Sequence, residues 1–183
     1  MDDIVRQAMA KWPNVPDCYG WLGLDTRGNW YMRDDRVQSL GAFASGRPGA
    51  KGSLLVHDKL IAFIQRNYLA DGQGNWFFQN GPQRVFVELA ATPWIWRVQA
   101  DLSLHTHTGL ATHCTACLMD EHGWLYLESP LGFGLVHTQD VGLAAQAVEA
   151  GLWIVQPVLR GDLPTRYAYA ISPAQNHTSL QKQ

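Results

Sequence analysis

Asp25-Thr26-Arg27-Gly28-Asn29-Trp30-Tyr31 recurs as Asp71-Gly72-Gln73-Gly74-Asn75-Trp76-Phe77, and a shorter variant follows as Asp120-Glu121-His122-Gly123-Trp124-Leu125-Tyr126. In each, an Asp side chain opens a turn, a Gly takes the positive φ that ends it, and an aromatic strand begins. The repeated signature announces β-hairpins. It does not announce a chemistry.

Outward from these turns, short helices are expected at 2–12, 57–68 and 139–150. Ile4, Val5, Ala8 and Trp12 make an apolar stripe in the first, and Leu60, Ile61, Ile64 and Tyr68 make one in the second. Thr138 and Gly151 bracket the third. Strands are expected at 18–24, 29–33, 75–79, 84–90, 94–98, 102–107, 113–119, 124–129, 153–159 and 166–171. Ser39–Gly52, rich in Gly, Ala and Ser, reads as a mobile loop, and Arg33-Asp34-Asp35-Arg36 as a solvated turn. The tail from Ala174 has no core pattern. The fold class is α+β: mostly antiparallel curved sheets built from hairpins, with about three short helices. The lobes are 1–98 (helices and hairpins) and 99–183 (β-rich, one helix), or a single compact domain.

Composition narrows the function classes. The chain has 183 residues, 46% of them hydrophobic, and eight Trp, enough for a sizeable core. A net charge of −2 argues against a general nucleic-acid binder. No apolar run of about 18 residues is present, so no membrane span is expected. Met1-Asp2-Asp3-Ile4 lacks the basic and apolar parts of a signal peptide. With three Cys, which cannot all pair within the chain, the expectation is a reduced, cytoplasmic protein.

One segment has metal-ligating residue types. His105, His107, His113, Cys114 and Cys117 lie within 13 residues, and zinc takes His nitrogen and Cys sulfur in sets of four. If 102–107 and 113–119 pair through a five-residue loop, then His105, His107, His113 and Cys117 share one face. A four-residue loop leaves His105, His107 and Cys114 together and removes His113 and Cys117. The other reading is a polar hairpin whose thiols act as small buried hydrophobes.

Two further segments suit a ligand. Gln79, Asn80, Gln83 and Arg84 place amides and a guanidinium at a turn between aromatic strands, groups that orient a polar ligand or carboxylate. The plainer reading is a turn satisfying its own backbone. His137 and Asp140 stand at the start of the third helix, where free N–H groups can take an anion, or where His137 simply caps. Neither a P-loop nor a G-x-S-x-G, H-E-x-x-H or kinase set is present. Trp94 and Trp96 read as core, and Cys18 as a thiol blunted by burial.

Met9–Pro16, Phe77–Val85 and Phe133–Asp140 resemble an uncharacterised proteobacterial family of unknown function. The resemblance covers nearly the whole chain and implies a small cytoplasmic bacterial protein with no assigned activity. The His105–Cys117 segment is not part of that family's pattern. The leading reading is a non-enzymatic module that binds a small ligand or a protein, with no cofactor, no nucleic-acid partner and no membrane. The alternative is a metal-dependent hydrolase with zinc on the His/Cys hairpin. A third is a structural homo-oligomer joined through the 153–159 edge.

Overall fold

The structure, a computed structural model, describes residues 1–180 of the chain. It is α+β, with two mixed, unclosed sheets and six α-helices among the described residues. The chain divides into two compact units. One holds Met1–Asp25, Asn29–Ala91 and the chain from Tyr169; the other holds Thr26–Gly28 and Thr92–Ala168. The 98/99 boundary read from the sequence falls inside the second unit.

The first unit begins with α1 (Asp3–Lys11), β1 (Cys18–Leu24), β2 (Trp30–Met32), α2 (Asp35–Ser39), β3 (Ser53–Leu54) and α3 (Asp58–Arg66). It continues with β4 (Tyr68–Ala70), β5 (Trp76–Asn80) and β6 (Gln83–Leu89). The strands order as β3-β2-β1-β6-β5-β4, and only β1 and β6 run parallel. The second unit holds β7 (Trp94–Val98), β8 (Leu104–Thr106), β9 (Ala111–Thr112), β10 (Ala116–Asp120), β11 (Leu125–Ser129) and β12 (Gly132–Val136). After these come α4 (Val141–Glu149), β13 (Val155–Val158), a 3₁₀ turn at Arg160–Asp162 and α5 (Leu163–Arg166). Its order is β13-β10-β11-β12-β7-β8-β9, with β10/β13 and β12/β7 parallel. The helix α6 (Pro173–Leu180) returns to the first unit.

The turn signature folds as its residues dictate. Asp25 Oδ1 accepts the Asn29 N–H at 2.9 Å, and Asp71 Oδ1 accepts the Asn75 N–H at 2.9 Å. Asp120 Oδ1 accepts the Trp124 N–H at 2.8 Å. Gly28, Gly74 and Gly123 hold φ of 80°, 80° and 78°, which glycine adopts without steric cost. Each turn therefore fixes the register of the aromatic strand after it.

Three expectations need correction. Three helices were expected and six are present, because α2 and α5 are too short for a stripe to show and α6, Pro-Ala-Gln-Asn-His-Thr-Ser-Leu, has too few apolar residues to make one. The predicted strand at 166–171 is absent: α5 ends at Arg166, and Ala168 takes a φ of 49°. The sheets are mostly antiparallel, as expected; the three parallel joints rest on long-range crossovers, which a hairpin signal does not encode. Arg33-Asp34-Asp35-Arg36 is not merely solvated. Asp34 accepts the Val37 N–H to cap α2, and Arg33 is buried. Residues 181–183 of the expected patternless tail lie outside the described residues, and 173–180 form α6.

Leu22, Leu24, Trp30, Phe86, Val87 and Leu89 build the first core. Ile95, Trp96, Leu104, Leu118, Tyr126 and Leu127 build the second. Trp94 and Trp96 are core, and their indole N–H groups donate to the Leu131 and Leu127 carbonyls, both at 2.9 Å. A buried indole needs such a partner.

Candidate functional site

The segment between α2 and β3, expected to be loose, is held by one side chain. Arg33 follows β2 and turns inward. Its Nε donates to the Ala50 carbonyl at 2.9 Å, Nη2 to Gly41 at 2.6 Å and Nη1 to Gly20 at 3.3 Å. Gly41 and Ala50 are the two ends of the loop, so the guanidinium staples it. Phe43 and Ala50 are buried beneath it. Burial pulls the Arg33 pKa down, and the nearby Glu88 pushes it up. Glu88 is itself raised: burial is the main cause, opposed by hydrogen bonds from the Ser172 hydroxyl and the Ala174 N–H and by Arg33.

The stapled loop borders an open cavity of about 340 Å³ lined by Phe43, Ala44, Gly46, Arg47, Gly49, Lys51 and Ala90. Lys51 Nζ lies 5.6 Å from the Tyr31 ring centroid and 6.0 Å from that of Phe43. Ammonium over aromatic faces is favourable and holds the cation in place. Arg47 Nη1 donates to the Leu40 carbonyl at 3.5 Å. Two cations line the wall, and no carboxylate, His, Cys or hydroxyl is among its lining residues. Such a wall can hold an anion with a small apolar body.

The residues singled out in the sequence do not form one site. Gln79 and Asn80 end β5, while Gln83 and Arg84 begin β6. Gln79 is buried and donates to the Gly81 carbonyl at 2.8 Å; Gln83 donates to Pro16 at 3.1 Å. Arg84 makes a two-pronged ion pair with Asp17, Nε at 2.9 Å and Nη2 at 2.6 Å. Of these four, Asn80 is exposed. In the second unit, Asp140 accepts from Arg97 Nε at 2.6 Å and from the Val98 N–H at 3.1 Å, and His137 Nδ1 accepts the Gln139 N–H at 3.1 Å.

The His/Cys set is not gathered either. β8 pairs with β7 and β9, whereas β10 pairs with β11 and β13. Three strands separate β8 from β10, a gap of roughly 19 Å at about 4.8 Å per strand. Neither register considered for a 102–107/113–119 hairpin exists, because β9 takes that place beside β8. His105 lies on β8 and Cys117 is buried on β10. His113 is exposed in the connection between β9 and β10. The His107 ring reaches the interior although part of the residue is at the surface; its Nδ1 accepts the Ile95 N–H at 3.3 Å, and burial pushes its pKa down to about 3. Burial also pushes the Cys114 and Cys117 thiols up to about 11. Among the described residues, Asp120, Glu121 and His122 are the group whose ligand atoms all lie within 4.8 Å of one another. There the Asp120 carboxylate is already taken by the His122 and Trp124 N–H groups, the Tyr126 hydroxyl and Arg160 Nε.

The family model described as "Protein of unknown function (DUF2946)" matches residues 1–180. The chain belongs to that family. The DUF2946 family has no established function, in keeping with the uncharacterised family that the motifs resemble. A crystal structure of a DUF1285 family protein from Silicibacter pomeroyi DSS-3 is similar at 11% identity, covering 79% of this chain and 83% of that one, with a TM-score of 0.47. No curated protein matches. No described helix of this DUF2946 protein is long and apolar enough to cross a membrane.

Sequence reasoning missed the Arg47/Lys51 cavity because its loop carries no periodicity. The available signal was compositional: Arg47 and Lys51 stand among Gly41, Gly46, Gly49 and Gly52, with Phe43 the one aromatic of the loop.

Proposed function

We propose that this protein is a non-enzymatic binding module of a proteobacterial cytoplasm that takes a small anion with an apolar portion. The observation that carries the reading is the pair Arg47 and Lys51 on a cavity wall whose lining residues include no carboxylate to neutralise them. The volume, about 340 Å³, lies at the small end of ligand pockets and suits one ring or a short chain beside a single anionic group. The setting rests on the motif resemblance and the cysteine usage.

Isothermal titration of the full chain with phenyl phosphate, benzoate and inorganic pyrophosphate tests this reading. Saturable heat is expected with phenyl phosphate or benzoate, at least tenfold weaker binding in the Arg47→Ala/Lys51→Ala double variant, and no consumption of phenyl phosphate. Absence of binding for all three probes, or binding that survives the double variant, rejects the site.

A further inference from the structure

The second unit ends its sheet on β13, whose outer edge has no strand partner among the described residues. Beside it lies a cleft of about 470 Å³ lined by Met119, Asp120, Glu121, Pro157, Val158, Leu159, Asp162 and Arg166. Met119 is paired in register with Pro157, so both side chains rise from one face of the sheet, and Leu159 follows on the same parity. Met119 is 37% exposed and Leu159 is 59% exposed. An uncovered apolar floor beside an open sheet edge is a place where an extended chain docks.

The charges around this floor are mostly acidic: Asp120, Glu121 and Asp162 line it against Arg166. Asp120 Oδ2 lies 2.8 Å from Arg160 Nε, and Arg160 stacks on Trp124 with its guanidinium carbon 3.9 Å from the ring centroid. Arg166 lies 3.9 Å from Glu128 and over the Tyr167 ring. The cationic side chains are thus engaged; Glu121, which accepts the Arg160 N–H at 2.9 Å and lies 3.4 Å from His122 Nδ1, and Asp162 are exposed on the rim. The geometry points to a docking cleft for an extended peptide segment of a partner protein, its apolar side chains on Met119, Pro157 and Leu159 and its Lys or Arg side chains toward Glu121 and Asp162. A second copy of this chain is a poorer occupant. A two-fold contact through this patch would bring the same acidic rim against itself. The inference is independent of the Arg47/Lys51 cavity, which lies in the other unit.

Fluorescence anisotropy of the full chain with a labelled Lys-Val-Lys-Val-Lys-Val peptide, and with its Glu-Val counterpart, tests it. The basic peptide is expected to bind saturably and the acidic one not. Leu159→Ser and the Glu121→Gln/Asp162→Asn double variant are each expected to weaken binding at least fivefold. Ile154→Ser, exposed but of the opposite parity, is expected to leave it unchanged. Circular dichroism confirms that each variant is folded. No binding, equal binding of both peptides, or equal loss in Ile154→Ser overturns the cleft. A dimer by light scattering that Leu159→Ser dissociates assigns the surface to a second copy and also overturns the proposal.

Discussion

Arg33 donates its Nε–H to the carbonyl of Ala50 at 2.9 Å, across a loop whose other end, Gly41, it holds through Nη2 at 2.6 Å. No lysine can do both, because one ammonium lacks the planar fork that reaches several carbonyls at once. Arg33→Lys is therefore expected to cost about 2–4 kcal/mol, the loss of two or three charge-assisted hydrogen bonds in a buried place. Denaturant unfolding measures this. The same variant should weaken phenyl phosphate or benzoate binding more than tenfold while leaving the overall circular dichroism spectrum unchanged, since only the loop is released.

Gly52 closes that loop with a φ of 82°, and a Cβ there would stand 2.2 Å from the Met32 carbonyl oxygen. The neighbour is backbone of β2 and cannot swing aside. Gly52→Ala is expected to destabilise by at least about 1–2 kcal/mol from the left-handed backbone alone, with the contact adding to it. Gly46, with nothing within 4 Å of its Cβ position, is the comparison. Gly46→Ala keeps the φ penalty without the contact, so its thermal unfolding midpoint should lie above that of Gly52→Ala. Equal midpoints would show that the loop end is free to move.

The contrast between turns and sites explains what the sequence made legible. The three Asp turns were readable because donor and acceptor lie at most four residues apart, as in Asp71 to Asn75. The β8–β10 separation was not, since β9, only two residues long, captures the edge of β8 and displaces the longer partner. Arg33 read as solvent-facing because its partners, Gly20, Gly41 and Ala50, are backbone carbonyls, which carry no residue-type signal. Arg84 looked available for a different reason: its partner Asp17 is remote in sequence. The α+β class needed only local patterns; the candidate site needed long-range ones.

The Asp turns differ in what they hold. Asp71 serves its own turn, accepting the Gln73 and Asn75 N–H groups and the Asn75 amide. Asp120 also anchors Tyr126 and Arg160. Burial raises the Asp120 pKa, but the hydrogen bonds from the Trp124 N–H, Arg160, Tyr126 and the His122 N–H outweigh it and hold the carboxyl below its usual range. Asp71→Ala is expected to cost about 1–2 kcal/mol. Asp120→Ala is expected to cost more, about 2–4 kcal/mol, because it removes the hydrogen bonds that a buried carboxylate accepts from the His122 and Trp124 N–H groups, Tyr126 and Arg160. Urea unfolding of the two variants side by side reads the difference; a smaller loss at Asp120 would contradict its role as anchor.

His107 and Glu88 give opposite pH signatures. Burial holds His107 neutral, with its pKa near 3 against 6.5 for a free imidazole. The unfolded chain takes up that proton first, so the stabilisation is complete above pH 6.5 and is lost as pH falls toward 3. Glu88 is raised above 4.5, chiefly by burial. Its protonated form is favoured in the fold, so its contribution is complete below pH 4.5 and is lost as pH rises through the raised value. His107→Gln should therefore lower the slope of stability against pH by up to one proton between pH 3 and 6.5. Glu88→Gln should gain on the wild type as pH rises above 4.5 and hold a constant difference below it. Chemical denaturation across pH 3–8 measures both. A His107→Gln slope equal to that of the wild type would mean that the imidazole ionises inside the folded protein, and a Glu88→Gln difference independent of pH would mean that the carboxylate is not penalised by its surroundings.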